Sequence, residues 1–203
     1  DGAFVPSEKT CIVYGNAALQ SIAEAFAADW KEMFGNALQV KAGKPQAGDF
    51  YLTLKKDKKL GKEGYAIAVA KYVTVSAPET TGVYWATRTL LQIGEQSDNH
   101  ALPHGTVRDW PDYSVRGFMM DCGRKFIPMA YMRDLVKMMS YYKMNVLQVH
   151  LSDNGFKQFF GHDWSKTYAA FRLECETFPG LTARDGYYTK REFVDFQLDA
   201  DAR

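Results

Sequence analysis

The chain is poor in cysteine. Cys11, Cys122 and Cys175 lie far apart in 203 residues, with no Cys-x-x-Cys pair among them. That spacing excludes the common structural zinc sites. It favours three separate buried thiols over a single disulfide. His100, His104, His150 and His162 fall in no His-Glu-x-x-His arrangement, so no metal and no cofactor are expected. No apolar run approaches the ~20 residues that a membrane-spanning helix requires. Excess charge is also missing. Lys and Arg number 25 against 24 Asp and Glu, for a net charge of +1, which is no footprint for nucleic acid or an anionic membrane surface. The opening DGAFVPSEK has no basic segment leading into an apolar one, so the protein is expected either to be untargeted or to have lost a leader. There is no internal repeat and no low-complexity stretch.

What is present describes a globular protein of one large or two small domains. Hydrophobic residues make up 46% and charged residues 24%, both ordinary values. The aromatic content of 14% fits a large core or a stacking surface. The first half reads as a small α+β unit. Thr10–Tyr14 is a short strand, Asn16 a helix N-cap, and Leu19, Ile22, Ala23, Phe26, Trp30 and Met33 follow at helical spacing up to Gly35. Leu38–Lys41 and the alternating Asp49–Lys55 are strands, and Gly64–Ala70 with Tyr72–Ser76 continue a meander. The run Lys55–Lys59 is read as a solvated hairpin tip. Thr80 or Thr81 caps a second helix, with Ala86, Leu90 and Ile93 on its apolar face and Gly94 at its end.

Arg108-Asp109-Trp110-Pro111-Asp112-Tyr113 has the Pro and aromatic content of a linker. The expected domains are 1–109 and 110–203. In the second, Arg116–Asp121 is a nearly continuous apolar strand, as expected where both faces are covered. Pro128 opens a helix with a stripe of Met132, Leu135, Val136 and Met139. Met144–Leu151 is another buried strand. Thr189-Lys190-Arg191-Glu192 is a capping box that starts a third helix, with Phe193 and Phe196 behind it. The fold class is α/β overall: an α+β domain with an antiparallel or mixed sheet and two helices, then strand–helix units of a parallel sheet. Both apolar strands end in polar residues, Asp121-Cys122-Gly123-Arg124 and His150-Leu151-Ser152-Asp153. In a barrel of such units the carboxyl ends of the strands carry the active site.

The segment RGFMMDCGRKFIPMAYMRDLVKMMSYYKMNVLQVHLSDN, residues 116–154, resembles the opening of the catalytic barrel in family 20 glycoside hydrolases, the β-N-acetylhexosaminidases. The shared pattern is an Arg-Gly strand start, a hydrophobic residue and Asp, two small residues and Arg, then a helix and a strand ending in His-Leu-x-Asp. Phe171-Arg172-Leu173-Glu174, Phe178-Pro179-Gly180-Leu181-Thr182 and Tyr188-Thr189 are similar to the loop and helix start that follow. The first half resembles, less specifically, the small domain preceding the barrel.

The resemblance implies a glycosidase acting on terminal N-acetylglucosamine or N-acetylgalactosamine, in which the sugar's own acetamido oxygen is the nucleophile and the configuration is retained. By the match, Arg124 binds sugar hydroxyls, since a guanidinium fork reaches two neighbouring hydroxyls where Lys cannot. Asp153 is the second expected substrate-binding residue, lying near the site and helping to organise it. Asp121 supports the loop, and His150 is expected to be a hydrogen-bonded core histidine behind the site. Cys122 is a small residue in a tight place rather than a nucleophile. Trp164 is a candidate for stacking on a sugar ring.

The family's catalytic Asp–Glu pair is expected beyond residue 203, so no catalytic residue is assigned within the chain. These residues are expected to form an incomplete (β/α)8 barrel, inactive alone and prone to self-association through uncovered strand edges. Family habit implies a periplasmic or secreted location. Where the family has Asp-Asp-Gln-Gly-Trp-Arg, this sequence has Asp153-Asn154-Gly155-Phe156-Lys157. That departure, with the missing pair, admits a non-catalytic carbohydrate-binding relative as the alternative.

Overall fold

The computed structural model describes residues 2–153, 171–178 and 180–203. The chain divides into two compact units, Asp1–Ser114 and Val115–Arg203.

The first unit is a mixed six-stranded sheet with two helices. Its strands are β2 (Cys11–Tyr14), β3 (Gln39–Ala42), β4 (Phe50–Leu54), β5 (Tyr65–Val69), β6 (Val73–Ala77) and β8 (Gly105–Asp109), in the order β3-β2-β4-β6-β5-β8. A separate antiparallel pair joins β1 (Ala3–Phe4) to β7 (Leu102–Pro103). The pairs β2–β3, β2–β4 and β4–β6 are parallel, whereas β5–β6 and β5–β8 are antiparallel. A simple meander does not form. The hairpin β5–β6 exists, but β6 rather than β5 lies beside β4. Arg108 and Asp109, read as linker, are the last residues of β8. Asp109 accepts a hydrogen bond of 2.6 Å from the hydroxyl of Tyr65, whose acidity burial suppresses first and this carboxylate second. In the exposed turn after β4, Asp57 pairs with Arg108 at 2.8 Å, and that hydrogen bond lowers its carboxyl pKa.

Helix α1 (Gln20–Phe34) follows a 3-10 turn at Ala17–Leu19, capped where the Asn16 side chain accepts from the Ala18 amide at 2.9 Å. The helix stops at Gly35, whose φ of 79° is the left-handed conformation that glycine tolerates. Its stripe buries Leu19, Ala23, Phe26 and Trp30, and Phe26 and Trp30 meet Phe50 with ring centroids 5.3 Å apart in each case. Helix α2 (Thr80–Glu95) has Glu79, not a threonine, as its N-cap. Gly94 lies inside it, not beyond its end. A Cβ there would meet the Phe34 ring at 3.2 Å, so the glycine permits close helix packing. Between the two helices the buried Arg88 donates to Asp29 and lies over the Tyr84 ring, 4.5 Å from its centroid.

The second unit contains β9 (Gly117–Asp121), α3 (Met129–Tyr141), β10 (Val146–His150) and α4 (Lys190–Asp201). The strands β9 and β10 are parallel, with Gly117 opposite Val146 and Asp121 opposite His150. Pro128 is the N-cap of α3. The core holds Cys122, Met132, Val136, Tyr188 and Phe196. The expectation that β9 is covered on both faces is not met: Phe118 and Met119 are 44% and 51% exposed. Met120, Leu147 and Val149 pack on the core from one face of the strand pair. Phe118, on that same face, lies outside the packed cluster, and Met119, on the opposite face, has no second layer among the described residues. The thiols are free, Cys11 and Cys122 buried and Cys175 half-buried. Among the described residues no helix is long and apolar enough to cross a membrane.

The capping box is complete. The Thr189 amide and hydroxyl donate to Glu192 Oε2 at 2.9 and 2.8 Å, and the Glu192 amide donates to Thr189 Oγ1 at 3.1 Å. These bonds, the amide's first, hold the Glu192 carboxyl below its usual pKa. A lowered folded pKa contributes stability that is present above the unfolded pKa and lost as pH falls through the folded one. Amide exchange across 190–201 is therefore expected to accelerate as pH drops below the ordinary glutamate range, after correction for intrinsic rates, and Glu192→Gln is expected to flatten that dependence. In the first unit, Asp29→Ala strands a buried guanidinium and is expected to destabilise by about 3–5 kcal/mol, measured by urea unfolding.

Candidate functional site

Two strands that run parallel and end at the same level deliver their following loops to one place. Arg124 lies three residues beyond Asp121, the last residue of β9, and Asp153 three beyond His150, the last residue of β10. Because Asp121 and His150 are partners in the ladder, these equal offsets bring Arg124 and Asp153 together. Arg124 Nε donates to Asp153 Oδ2 at 3.1 Å and lies 3.3 Å from Asp121 Oδ2. The Arg124 amide also donates to Asp121 Oδ1 at 3.1 Å. The guanidinium side chain is 61% exposed, against 21% for Asp121 and 14% for Asp153. The arrangement is a cationic donor group presented to solvent and braced by two largely covered carboxylates.

His150 is not a core residue. Its position at the end of β10 leaves it exposed, and the group it contributes to the interior is its carbonyl. That carbonyl accepts from the amides of Cys122 and Gly123 at 2.9 and 3.0 Å. Gly123 is required at this point because a Cβ would sit 2.6 Å from the carbonyl carbon of Ser152. Cys122 is fully buried, and burial raises the pKa of its thiol, the opposite of what a nucleophile needs.

Asp121, His150 and Asp153 each offer a ligand atom within 4.8 Å of the others, a set able to reach a cation. Arg124 already supplies positive charge to both carboxylates, so a metal would have to displace it. The site as built offers guanidinium donors at the surface, held in place by two carboxylates.

Sequence reasoning matched the segment containing Arg172 but gave that residue no role. Arg172 is 1% exposed. It donates from Nε to the Cys122 carbonyl at 2.8 Å, from Nη2 to the Gly123 carbonyl at 3.1 Å and from Nη1 to the Gly186 carbonyl at 2.9 Å, and it pairs with Asp185. Its own carbonyl accepts from the Tyr188 amide, and the Tyr188 hydroxyl donates to the Ile127 carbonyl. No local signal marked it: the alternation Phe171-Arg172-Leu173 reads as an arginine turned to solvent between two inward apolar residues, whereas Arg172 is the buried one. Asn154, Gly155, Phe156, Lys157 and Trp164 lie outside the described residues.

A parallel strand–helix–strand unit with polar groups at the carboxyl strand ends is a building block of (β/α) barrel and doubly wound enzymes alike. Residues 1–110 match the family model described as glycosyl hydrolase family 20, domain 2, and residues 113–197 match glycosyl hydrolase family 20, catalytic domain. The chain belongs to glycosyl hydrolase family 20. A beta-hexosaminidase of Porphyromonas gingivalis is 26% identical over 225 residues, covering 100% of this chain and 27% of that protein. One from Akkermansia muciniphila is 33% identical over 124 residues, covering 60% of this chain and 25% of that protein. The chain thus spans about a quarter of the length of these relatives. In fold it is similar to the GH20 beta-N-acetylhexosaminidase of Streptomyces coelicolor, with a TM-score of 0.81 at 22% identity over 99% of this chain and 41% of that one. A Streptomyces plicatus beta-hexosaminidase mutant in complex with its product GlcNAc gives a TM-score of 0.82 at the same identity and coverage.

Gly123→Ala drives a Cβ into the Ser152 backbone. It is expected to cost about 1–3 kcal/mol through forced backbone shifts, measured by urea unfolding, and to lengthen the Arg124–Asp153 contact in a crystal structure of the variant.

Proposed function

We propose that the intact protein is a β-N-acetylhexosaminidase that releases terminal N-acetylglucosamine or N-acetylgalactosamine from glycans. The observation that carries this reading is the exposed Arg124 guanidinium, braced by Asp121 and Asp153 at the carboxyl ends of two adjacent parallel strands. A fork held in this way donates to two neighbouring hydroxyls of a terminal sugar and fixes the ring against the strand ends. The family membership and the names of the relatives support the same chemistry.

In the reaction we propose, the 2-acetamido oxygen attacks the anomeric carbon as the glycosidic bond breaks, and the leaving oxygen takes a proton from a carboxylic acid. Water then opens the oxazolinium with overall retention. Arg124 holds the sugar in register for that attack, and Asp153 holds Arg124. The Asp–Glu pair that orients the acetamido group and supplies the proton belongs, on this reading, to sequence outside these 203 residues, which alone are inactive. A periplasmic or extracellular location suits glycan substrates. The exposed Met119 and Val146, on the same face of the β9–β10 pair, support self-association of the isolated 203 residues through that surface.

Hydrolysis of a chromogenic aryl N-acetyl-β-glucosaminide tests the reading. The intact protein is expected to turn over and the 203 residues alone are not. Arg124→Ala is expected to lower kcat/KM about 100-fold or more, since two charge-assisted hydrogen bonds are worth ~1.5–3 kcal/mol each, and Arg124→Lys is expected not to restore it. Sugar binding by the intact protein without turnover would favour the non-catalytic carbohydrate-binding alternative.

A further inference from the structure

We infer that Arg172 is a positioning residue for the sugar-binding arginine: its buried guanidinium fixes the two peptide groups from which Arg124 emerges. The inference rests on the reading of Arg124 as the group that holds the sugar.

Burying an arginine is unfavourable unless its donors and its charge are matched. At 1% exposure, Arg172 meets that condition with three backbone carbonyls and the carboxylate of Asp185. Two of the carbonyls belong to Cys122 and Gly123, the residues immediately before Arg124. The amides of those same residues donate to the His150 carbonyl at 2.9 and 3.0 Å. The backbone at 122–123 is therefore held from both sides. The β10 strand end fixes its N–H groups, and Arg172 fixes its C=O groups. Gly123 completes the restraint, because the Ser152 backbone leaves no room for a side chain there. The chain leaves this clamp at Arg124, whose side chain is then aimed by Asp121 and Asp153.

The clamp also ties the loop after β9 to the segment that follows β10. Arg172 bonds Asp185 and the Gly186 carbonyl with Nη1, while Nη2 approaches the second Asp185 oxygen at 3.3 Å. A lysine cannot reproduce this. Its single ammonium lacks the planar fork that reaches carbonyls on successive residues and a carboxylate at once. Asp185 is itself 57% exposed, so its role is to neutralise and orient the fork rather than to fill the core.

A double-mutant cycle in the intact protein tests this. kcat/KM for an aryl N-acetyl-β-glucosaminide is measured for wild type, Arg124→Ala, Arg172→Lys and the double variant. Arg172→Lys is expected to lower kcat/KM about 10- to 100-fold when Arg124 is present, as misplacement of a binding group does. Its split between kcat and KM should match that of Arg124→Ala. Once Arg124 is gone, the same substitution should cost no more than about twofold. An equal loss in both backgrounds would make Arg172 merely structural and overturn the inference. Should Arg172→Lys fail to fold, Asp185→Asn, at an exposed carboxylate, replaces it in the cycle with the same non-additivity at smaller amplitude. Should wild type show no turnover, the proposed activity fails, and the inference is then decided by proton exchange at Arg124 Nε in NMR spectra. Arg172→Lys should speed that exchange and leave the β9–β10 ladder amides unchanged. Faster exchange at both, or at neither, would overturn it.

Discussion

Asp121 faces His150 across the parallel ladder of β9 and β10, and the geometry beyond the strand ends follows from that pairing. A slip of one residue would turn every side chain of one strand to the opposite face and break the equal three-residue offsets that bring Arg124 to Asp153. The register is held at both ends by groups outside the ladder. At the amino ends, the Arg116 amide donates to the Asn145 side chain at 2.9 Å, and Arg116 Nε donates to the Lys143 carbonyl at 2.7 Å. At the carboxyl ends, the His150 carbonyl takes two amides from the loop after β9. These contacts convert a strand pairing into a defined arrangement of charges.

The two units each bury an arginine, and the difference between them shows what each is for. Arg88 is matched by Asp29 and Thr87 on elements of the sheet-and-helix unit. It joins α1 to α2 through side chains. Arg172 spends most of its donors on backbone carbonyls of two separate loops. A charge used to hold peptide groups fixes the course of the chain more tightly than one used to hold a side chain, because a carbonyl has no rotamers to relax into. The buried guanidinium in the second unit is accordingly the one that lies beside the candidate site.

Much of this was legible in the sequence where a local rule was sufficient. The stripe of Leu19, Ala23, Phe26 and Trp30, the left-handed Gly35 and the Thr189–Glu192 capping box are all set within one or two turns of chain. The polar ends of β9 and β10 were visible because an apolar run stopping at Asp or His is readable at sight. What depended on distant partners was not. Hairpin propensity identifies β5–β6 but cannot reveal that β6 inserts beside β4. Apolar composition in Gly117–Asp121 suggested burial on both faces, yet the core packs against one face only, where Phe118 lies outside the cluster, and Met119 on the other face has no layer over it among the described residues. His150 was misread as a core side chain because its contribution is made by its carbonyl, to which side-chain identity is blind. Arg172 was missed because its apolar neighbours imply a solvent-facing arginine, while its burial depends on carbonyls and a carboxylate supplied by distant segments.

The bracing of Arg124 also explains how so exposed a group can act as a specific one. An arginine that moves freely in solvent loses rotamer entropy when it binds, of the order of 0.5–1.5 kcal/mol for each immobilised side chain. Here Asp121 and Asp153 engage Nε before any ligand arrives, so much of that cost is met on folding. The pairs themselves add little to stability, since an exposed guanidinium is well screened by water. Their effect is on direction. Two carboxylates on one edge of a planar group leave it few orientations, so on the proposed reading a sugar meets a fork already aimed. Under that proposal, selectivity for hydroxyl spacing would follow from the fixed register of the β9 and β10 strand ends.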